Sequence, residues 1–185
     1  MQGSMFLDPN EAVAAAHLAP GMLVADFGAG SGFFTRAAAR VVGPEGIVWA
    51  VDASGELLAR TKNLALAEGL HNVEVVRGDF ETIGGSHLPT GKFDFAIVAN
   101  VLFSAHDRVA LASEVARVLA RGGRALIIDW RDSFDGLGPH PGHVVTAGVA
   151  RDVFEQVGLV YVGDIRAGRF HWGFIVRKKV QQAAQ

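Results

Sequence analysis

The apolar run LVADF (23–27) passes directly into a glycine cluster, GAGSG (28–32), and a helical pattern begins at once. A short buried strand, a turn open only to small residues and a helix make up the start of a βαβ unit, and few folds accept that opening. The alternation then continues. Apolar runs at 47–51, 73–76, 93–99 and 125–128 read as strands, and the segments at 32–42, 54–68 and 107–120 carry helical periodicity. In the 54–68 segment Ser54 is placed to cap, with Leu57, Leu58, Thr61, Leu64 and Ala65 on one face and Gly69 as the stop. Gly122 and Gly123 are read as the stop of the 107–120 helix. Strands this uniformly apolar, most of them separated by helices, imply a parallel sheet covered on both faces.

The end of the chain breaks the alternation. A helix at 147–157 leads into a strand at 160–165, and another strand at 169–177 follows after a tight Ala167-Gly168 turn. That spacing is too short for a helical crossover, so these two strands should pair antiparallel. Near the start, a short helix at 9–18 has Asp8 as its cap and Pro9 in its first position. The predicted fold class is α/β: a doubly wound, Rossmann-like seven-stranded sheet, mostly parallel, with an antiparallel C-terminal edge hairpin. It forms one domain over 1–185, with 1–20 as an N-terminal extension.

Composition narrows the class further. Half of the 185 residues are hydrophobic, which excludes intrinsic disorder. No run approaches the eighteen or so apolar residues of a membrane span, and no secretory signal is visible. Residues 1–4 read as a non-native tag, with Met5 the natural start. The absence of cysteine removes disulfides and thiolate chemistry and suits a cytoplasmic location. A formal net charge of −2 gives no general electrostatic case for nucleic acid. Glycine is the outlier: 23 of 185, about 12% against a usual 7%.

The first glycines lie where doubly wound sheets bind ligands. Asp52 ends the second strand about twenty residues on, where a carboxylate can accept both hydroxyls of a ribose; capping of the next helix is its bland alternative. Against the dinucleotide fingerprint the third small residue should stand at position 33, which is Phe33. The spacing G-x-G-x-G with a large ring next disfavours NAD or FAD and favours a nucleoside without a pyrophosphate.

With VADFGAGSGFFT, VDAS, RGDF, FDFAIVANVLF and RVLARGGRALIIDW in this order, the chain resembles the class I S-adenosylmethionine-dependent methyltransferases. It is closest in style to the group containing the ubiquinone/menaquinone-biosynthesis enzymes. The resemblance spans roughly 21–178. It implies S-adenosylmethionine as cofactor, S-adenosylhomocysteine as product and an antiparallel seventh strand. It also implies that Asp26 organises the glycine loop and the methionine amino group. Gly28, Ala29, Gly30 and Gly32 would admit the methionyl and ribose parts, and Asp52 and Ala53 would hold the ribose. Asp79 and Phe80 would flank the adenine, and Asn100 would lie near the sulfonium.

A methyl group on a cationic sulfur needs alignment more than activation, so no obligatory catalytic signature need exist. The acceptor-side candidates are His106, after the fourth strand, and His140 and His143 in the loop 131–146, histidine being the natural near-neutral base. That loop, with Gly136, Gly138 and Gly142, is short for a lid and predicts an open acceptor site, suited to a bulky acceptor or closed by a second copy of the chain. Asp129, Trp130 and Arg131 end the fifth strand on the same edge. His171 and Trp172 fall in a strand and read as packing residues, as does at least one of Phe33 and Phe34. Metal is not expected, because His140 and His143 lack helical i,i+4 geometry and a third ligand. Asn100 and Asp129 faintly resemble metal-dependent catechol methyltransferases, whose extra acidic pair is missing.

The expected partner is a small-molecule acceptor, with a protein or lipid headgroup next and a non-catalytic cofactor-binding module as the reading from another class. A nicotinamide oxidoreductase is disfavoured by Phe33. Nucleic acid is not expected: Asn100-Val101-Leu102-Phe103 stands where a base-flipping N/D-P-P-Y/F motif would be. The basic cluster Arg177-Lys178-Lys179 reads as a solvated end.

Overall fold

Among residues 6–180, which the computed structural model describes, seven strands form one sheet. They are β1 (Leu23–Phe27), β2 (Ile47–Asp52), β3 (Val73–Arg77), β4 (Phe93–Ala99), β5 (Leu119–Trp130), β6 (Leu159–Ile165) and β7 (His171–Lys178), in the order β3-β2-β1-β4-β5-β7-β6. The β1, β2, β3, β4 and β5 pairings are parallel, and β7 runs antiparallel to both β5 and β6. The antiparallel strand therefore lies one place in from the edge. Helix α5 (Ala147–Gln156) carries the chain across to β6, parallel to β5, and β7 returns to fill the gap between them. The reading of residues 1–4 as a tag falls outside the described residues. No helix there is long and apolar enough to cross a membrane.

The central strands are apolar because both faces are covered. In β1, β4 and β5 one alternate set (Val24; Phe95 and Ile97; Leu126 and Ile128) packs with α1 (Pro9–Ala15) and α2 (Phe33–Val42). The other set (Ala25 and Phe27; Ala96 and Val98; Ala125 and Ile127) packs with α4 (Arg108–Val118) and α5. The period of two in a strand sorts the side chains in this way. Helix α3 (Gly55–Ala67) buries Leu58, Thr61 and Ala65 beside β2 and β3, while Leu57 and Leu64 stay at its margin.

Cap chemistry sets the helix starts as read from sequence. Asp8 accepts from the Asn10 N–H at 2.8 Å, and the Ser54 hydroxyl accepts from the Leu57 N–H at 3.3 Å. Two readings are corrected. Helix α4 stops at Val118 and the chain is extended from Leu119, so Gly122 and Gly123 end no helix. They lie where the β4–β5 register jumps, from Phe93↔Leu119 to Phe95↔Arg124. A Cβ on Gly123 would sit 2.9 Å from the Ala120 carbonyl and 3.0 Å from that of Phe93, so the irregularity closes only over glycine. Lys178 is no solvated end: its Nζ donates to the Ala116 and Leu119 carbonyls, each at 2.7 Å, and places a cation on the C-terminus of α4.

Candidate functional site

At the C-terminal edge of the parallel strands lies a cavity of about 530 Å³. The glycine loop forms one wall, with Asp26, Gly28, Ala29 and Gly30. The end of β4 contributes Ala99 and Asn100, and Trp130 and His171 come from the paired ends of β5 and β7. Phe33 and Phe34 from α2 and Phe6, Leu7 and Pro9 from the N-terminal segment complete it. A separate hollow of about 340 Å³ on the same edge is lined by Ala53, Arg77, Gly78 and Asp79. Another hollow, about 560 Å³, lies at the opposite end of the strands. There the Asn72 amide is already engaged by the Ala39 and Gly43 carbonyls, and no functional candidate from the sequence lines it.

The glycine loop follows Asp26 and is held by Asp52 and Thr61. Asp26 is buried at the end of β1 and its Oδ2 accepts from the Thr35 hydroxyl at 2.5 Å. Burial, with help from the nearby Asp52 charge and against the Thr35 hydrogen bond, pushes its carboxyl up to about 7. Asp52 divides its carboxylate: Oδ2 accepts from the Gly30 N–H at 3.0 Å and Oδ1 from the Ser54 N–H at 2.9 Å. The Thr61 hydroxyl donates to the Gly30 carbonyl at 2.9 Å.

The three loop glycines serve different ends. A Cβ at Gly28 would come within 2.5 Å of Val101, and one at Gly32 within 2.4 Å of the buried Thr61, so both are demanded by packing. Gly30 meets nothing closer than 3.9 Å, so its left-handed backbone, at φ +53°, faces open space. Gly30 is thus the one over which a ligand can lie closely.

Asp79 is exposed and engaged locally, Oδ1 accepting from the Glu81 N–H at 3.0 Å and Oδ2 from the Thr82 hydroxyl at 2.8 Å. Phe80 packs edge-on to Phe27, ring centres 6.2 Å apart. Asn100 adopts a left-handed conformation (φ +58°), its N–H donating to the Ile128 carbonyl at 2.9 Å, and its buried Oδ1 has no partner among the described residues. Of the predicted cofactor-side residues, Asp26, Gly28, Ala29, Gly30 and Asn100 line the first hollow and Ala53 and Asp79 the second; Gly32 and Phe80 line neither, and Asp52 stands between them, bonded to the loop of the first and followed by Ala53 of the second.

The three acceptor-side histidines do not gather. The His106 side chain is 98% exposed, 3.9 Å from Glu81. His140 and His143 are exposed in a single 3-10 turn, Pro141–His143, and His140 Nδ1 accepts from the Gly142 N–H at 3.3 Å. None of the three lines the cavity. Nor does any residue of 131–146. This loop packs back onto neighbouring aromatics, Phe134 against Phe170 at 4.8 Å and Gly138 against the Trp130 ring. Cover comes instead from the N-terminal segment. Phe6 and Phe33 stand at the rim, 56% and 63% exposed, while Phe34 is the one buried on the sheet.

His171 is the residue that sequence reasoning placed in packing and the structure places on the cavity wall. Trp130, whose ring centre is 4.3 Å from that of His171, accompanies it. Among the described residues no three His, Asp or Glu side chains come together as metal ligands.

Similarity to known proteins agrees with this fold. Residues 24–123 match the family described as methyltransferase domain. The chain is 30% identical over 125 residues to the ubiquinone/menaquinone biosynthesis C-methyltransferase UbiE of Burkholderia cenocepacia, covering 68% of this chain and 50% of that protein. An arsenite methyltransferase of Halobacterium salinarum is 33% identical over 116 residues, 62% of this chain and 28% of that one. The chain thus spans about half or less of the length of these curated relatives. A crystal structure of an S-adenosylmethionine-dependent methyltransferase from Aquifex aeolicus superimposes with a TM-score of 0.84 at 26% identity, covering 94% of this chain and 90% of that one. With the family match spanning more than half of its residues and the seven-stranded sheet carrying a glycine loop at its ligand edge, the chain belongs to the class I S-adenosylmethionine-dependent methyltransferases.

Proposed function

We propose that this protein transfers a methyl group from S-adenosylmethionine to a small-molecule acceptor held between the glycine loop and the Trp130–His171 wall. The observation that carries this reading is the 530 Å³ cavity, which falls in the range of small-molecule sites and joins Asp26 and Gly30 to a largely apolar chamber. S-adenosylmethionine supplies a methyl group on a positively charged sulfur. The residues present fit it. Gly30 leaves room above the loop, the Asn100 Oδ1 is a buried acceptor without a partner among the described residues, and each Asp52 oxygen accepts one bond in the structure and has capacity for another. In this reading Asp26 and Asn100 hold the methionyl end, Asp52 and Ala53 the ribose, and Asp79 and Phe80 the adenine. The apolar walls keep water away from the acceptor.

The exposed rim at Phe6 and Phe33 favours a second reading, in which the acceptor belongs to a larger body, a protein or a lipid headgroup, or a second copy of this chain covers the mouth. We place the reaction in the cytoplasm, on the cysteine-free composition. Labelled S-adenosylmethionine incubated with the protein and a cell extract, then separated into small-molecule, lipid, protein and RNA fractions, should put label in the small-molecule fraction. Label confined to another fraction overturns the acceptor class, and tight cofactor binding with label in none identifies a non-catalytic binding module.

Asp52→Ala tests the cofactor side. It removes the proposed ribose acceptor and releases the Gly30 N–H, so binding of S-adenosylhomocysteine should weaken by roughly 1.5–3 kcal/mol, the scale of hydrogen bonds to charged groups. Isothermal calorimetry reads this directly. Unchanged affinity would show that Asp52 only ties the loop to α3.

A further inference from the structure

His171 is the one histidine among the described residues that lines the cavity, and its ring takes no part in the fold's hydrogen bonding. It opens β7, is 4% exposed, and its Nδ1 and Nε2 are both buried without a partner among the described residues. Polar atoms buried without partners are rare in native proteins and call for an explanation. The ring is nonetheless held in place. Its backbone pairs opposite Trp130, the two rings lie 4.3 Å apart at 40°, and Arg131 donates to the His171 carbonyl at 3.0 Å. Position is thus fixed from behind while both nitrogens stay free.

The rest of the wall sharpens the choice. Among the described residues, Asn100 Oδ1 is the other unpartnered buried polar side-chain atom on it. Asp26, three strands away in the sheet, is the other titratable lining residue and is engaged with Thr35. Beyond these the cavity wall is the glycine loop and apolar side chains, Phe6, Leu7, Phe33 and Trp130 among them. Burial holds His171 well below the ordinary histidine range, at about 4. Near pH 7 the ring is therefore neutral, with one N–H donor and one lone-pair acceptor.

Resting on the methyl-transfer reading above, we propose that His171 is the catalytic residue that receives the acceptor's proton, and that the acceptor is a small apolar molecule presenting an O–H or N–H nucleophile. As the heteroatom's lone pair bonds to the methyl carbon, the electron pair of the methyl–sulfur bond stays on sulfur. The heteroatom's proton passes to the free nitrogen of His171. One positive charge disappears at sulfur and one appears on the imidazolium, so the cavity carries the same net charge before and after. A sulfonium nearby disfavours a protonated ring, and that repulsion vanishes as transfer proceeds, which lets a weakly basic imidazole do the work.

The test uses the full chain with two substitutions: His171→Gln, which keeps a polar side chain but no basic nitrogen, and His171→Phe, which keeps the ring and loses polarity. Both should bind S-adenosylhomocysteine within about twofold of wild type by calorimetry. Label transfer to the small-molecule fraction should fall about 100-fold in each, with the residual rate rising about tenfold per pH unit as hydroxide replaces the imidazole. Independently of turnover, phenol added as an O–H probe to the wild-type protein saturated with S-adenosylhomocysteine should shift the ring nitrogen resonances of His171. Unaltered rates and pH profiles in both variants, or an unmoved imidazole, overturn the role of His171 and leave the methyl-transfer reading standing. Wild-type protein that labels no fraction overturns that reading, and the role of His171 with it.

Discussion

Asp26→Asn should remove the pH dependence of cofactor binding and, at pH 8, weaken it at least tenfold while making the unliganded protein more stable. The two halves of this prediction have one cause. In an unfolded chain an aspartate titrates near 3.9, but burial, reinforced by Asp52 and opposed by Thr35, lifts Asp26 to about 7. A group whose folded value is raised gives stability that is complete below its unfolded value and is lost as pH climbs through the folded one. The loss for wild type is therefore spread from about pH 4 to pH 7. Three units correspond to about 4 kcal/mol, an upper figure for a carboxyl that can relax. An amide of the same shape never ionises, so the stabilities of the two proteins, read from melting curves, should diverge from about pH 4 to about pH 7 and hold a constant difference above it, with the variant the more stable. Binding runs the other way. If the carboxylate receives the cofactor's ammonium, the proton must leave first. The wild-type affinity should then rise tenfold per pH unit up to about 7 and level off. Calorimetry with S-adenosylhomocysteine from pH 5 to 8.5 measures the slope. Persistence of the slope in Asp26→Asn would assign it to another group.

Much of this edge was legible from residue order. Asp8 and Ser54 announce helix starts because their oxygens can do the capping that backbone geometry leaves undone, and both do so. The run 93–99 is strand to the residue, because apart from Asp94 it is apolar on both faces and it is bounded by polar residues. What escaped depends on pairings far apart in the chain. His171 reads as a strand residue; only the insertion of β7 beside β5 brings it opposite Trp130 and onto the cavity. The loop 131–146 reads as a lid from its position after β5. Aromatic contacts with Phe170 and Trp130 draw it aside, and residues 6–9 supply cover instead. Gly122 and Gly123 mimic a helix stop because the local signature of a helix end and of a strand irregularity is the same residue, and only the β4 register distinguishes them. Glu114 gives no signal at all: a charged residue on a helix reads as solvated, yet it is fully buried.

Glu114→Ala should be the most destabilising charge removal in the described chain, lowering stability by about 3 kcal/mol, since it leaves the half-buried Arg117 guanidinium and two backbone donors without their acceptor. The Glu114 carboxylate accepts from the Gly84 N–H at 2.7 Å and the Ser86 N–H at 3.3 Å, and from the Ser86 hydroxyl. It also takes a fork from Arg117, Nε and Nη2 each at 2.7 Å. Arg117 in turn donates to the Thr90 hydroxyl at 2.6 Å and the Leu88 carbonyl at 2.8 Å. Together the pair fastens the segment between β3 and β4 to helix α4, and that segment carries Asp79 and Phe80. Burial works against the charge, but the bonds from Arg117, Ser86 and Gly84 outweigh it and hold the carboxyl at about 2. A depressed value gives stability that is complete above the unfolded value, near 4.3, and lost as pH falls through about 2. The variant's deficit should therefore be full at pH 7, where a 185-residue chain would melt roughly 6–12 °C lower, and should shrink between pH 4.5 and 2. Denaturant titrations at pH 7 and pH 3 check both. Well below its melting point the variant should also bind S-adenosylhomocysteine several-fold more weakly, because the Asp79–Phe80 corner is no longer pinned. Equal affinity would mean that the corner is held by the Asp79 turn and the Phe27 contact alone.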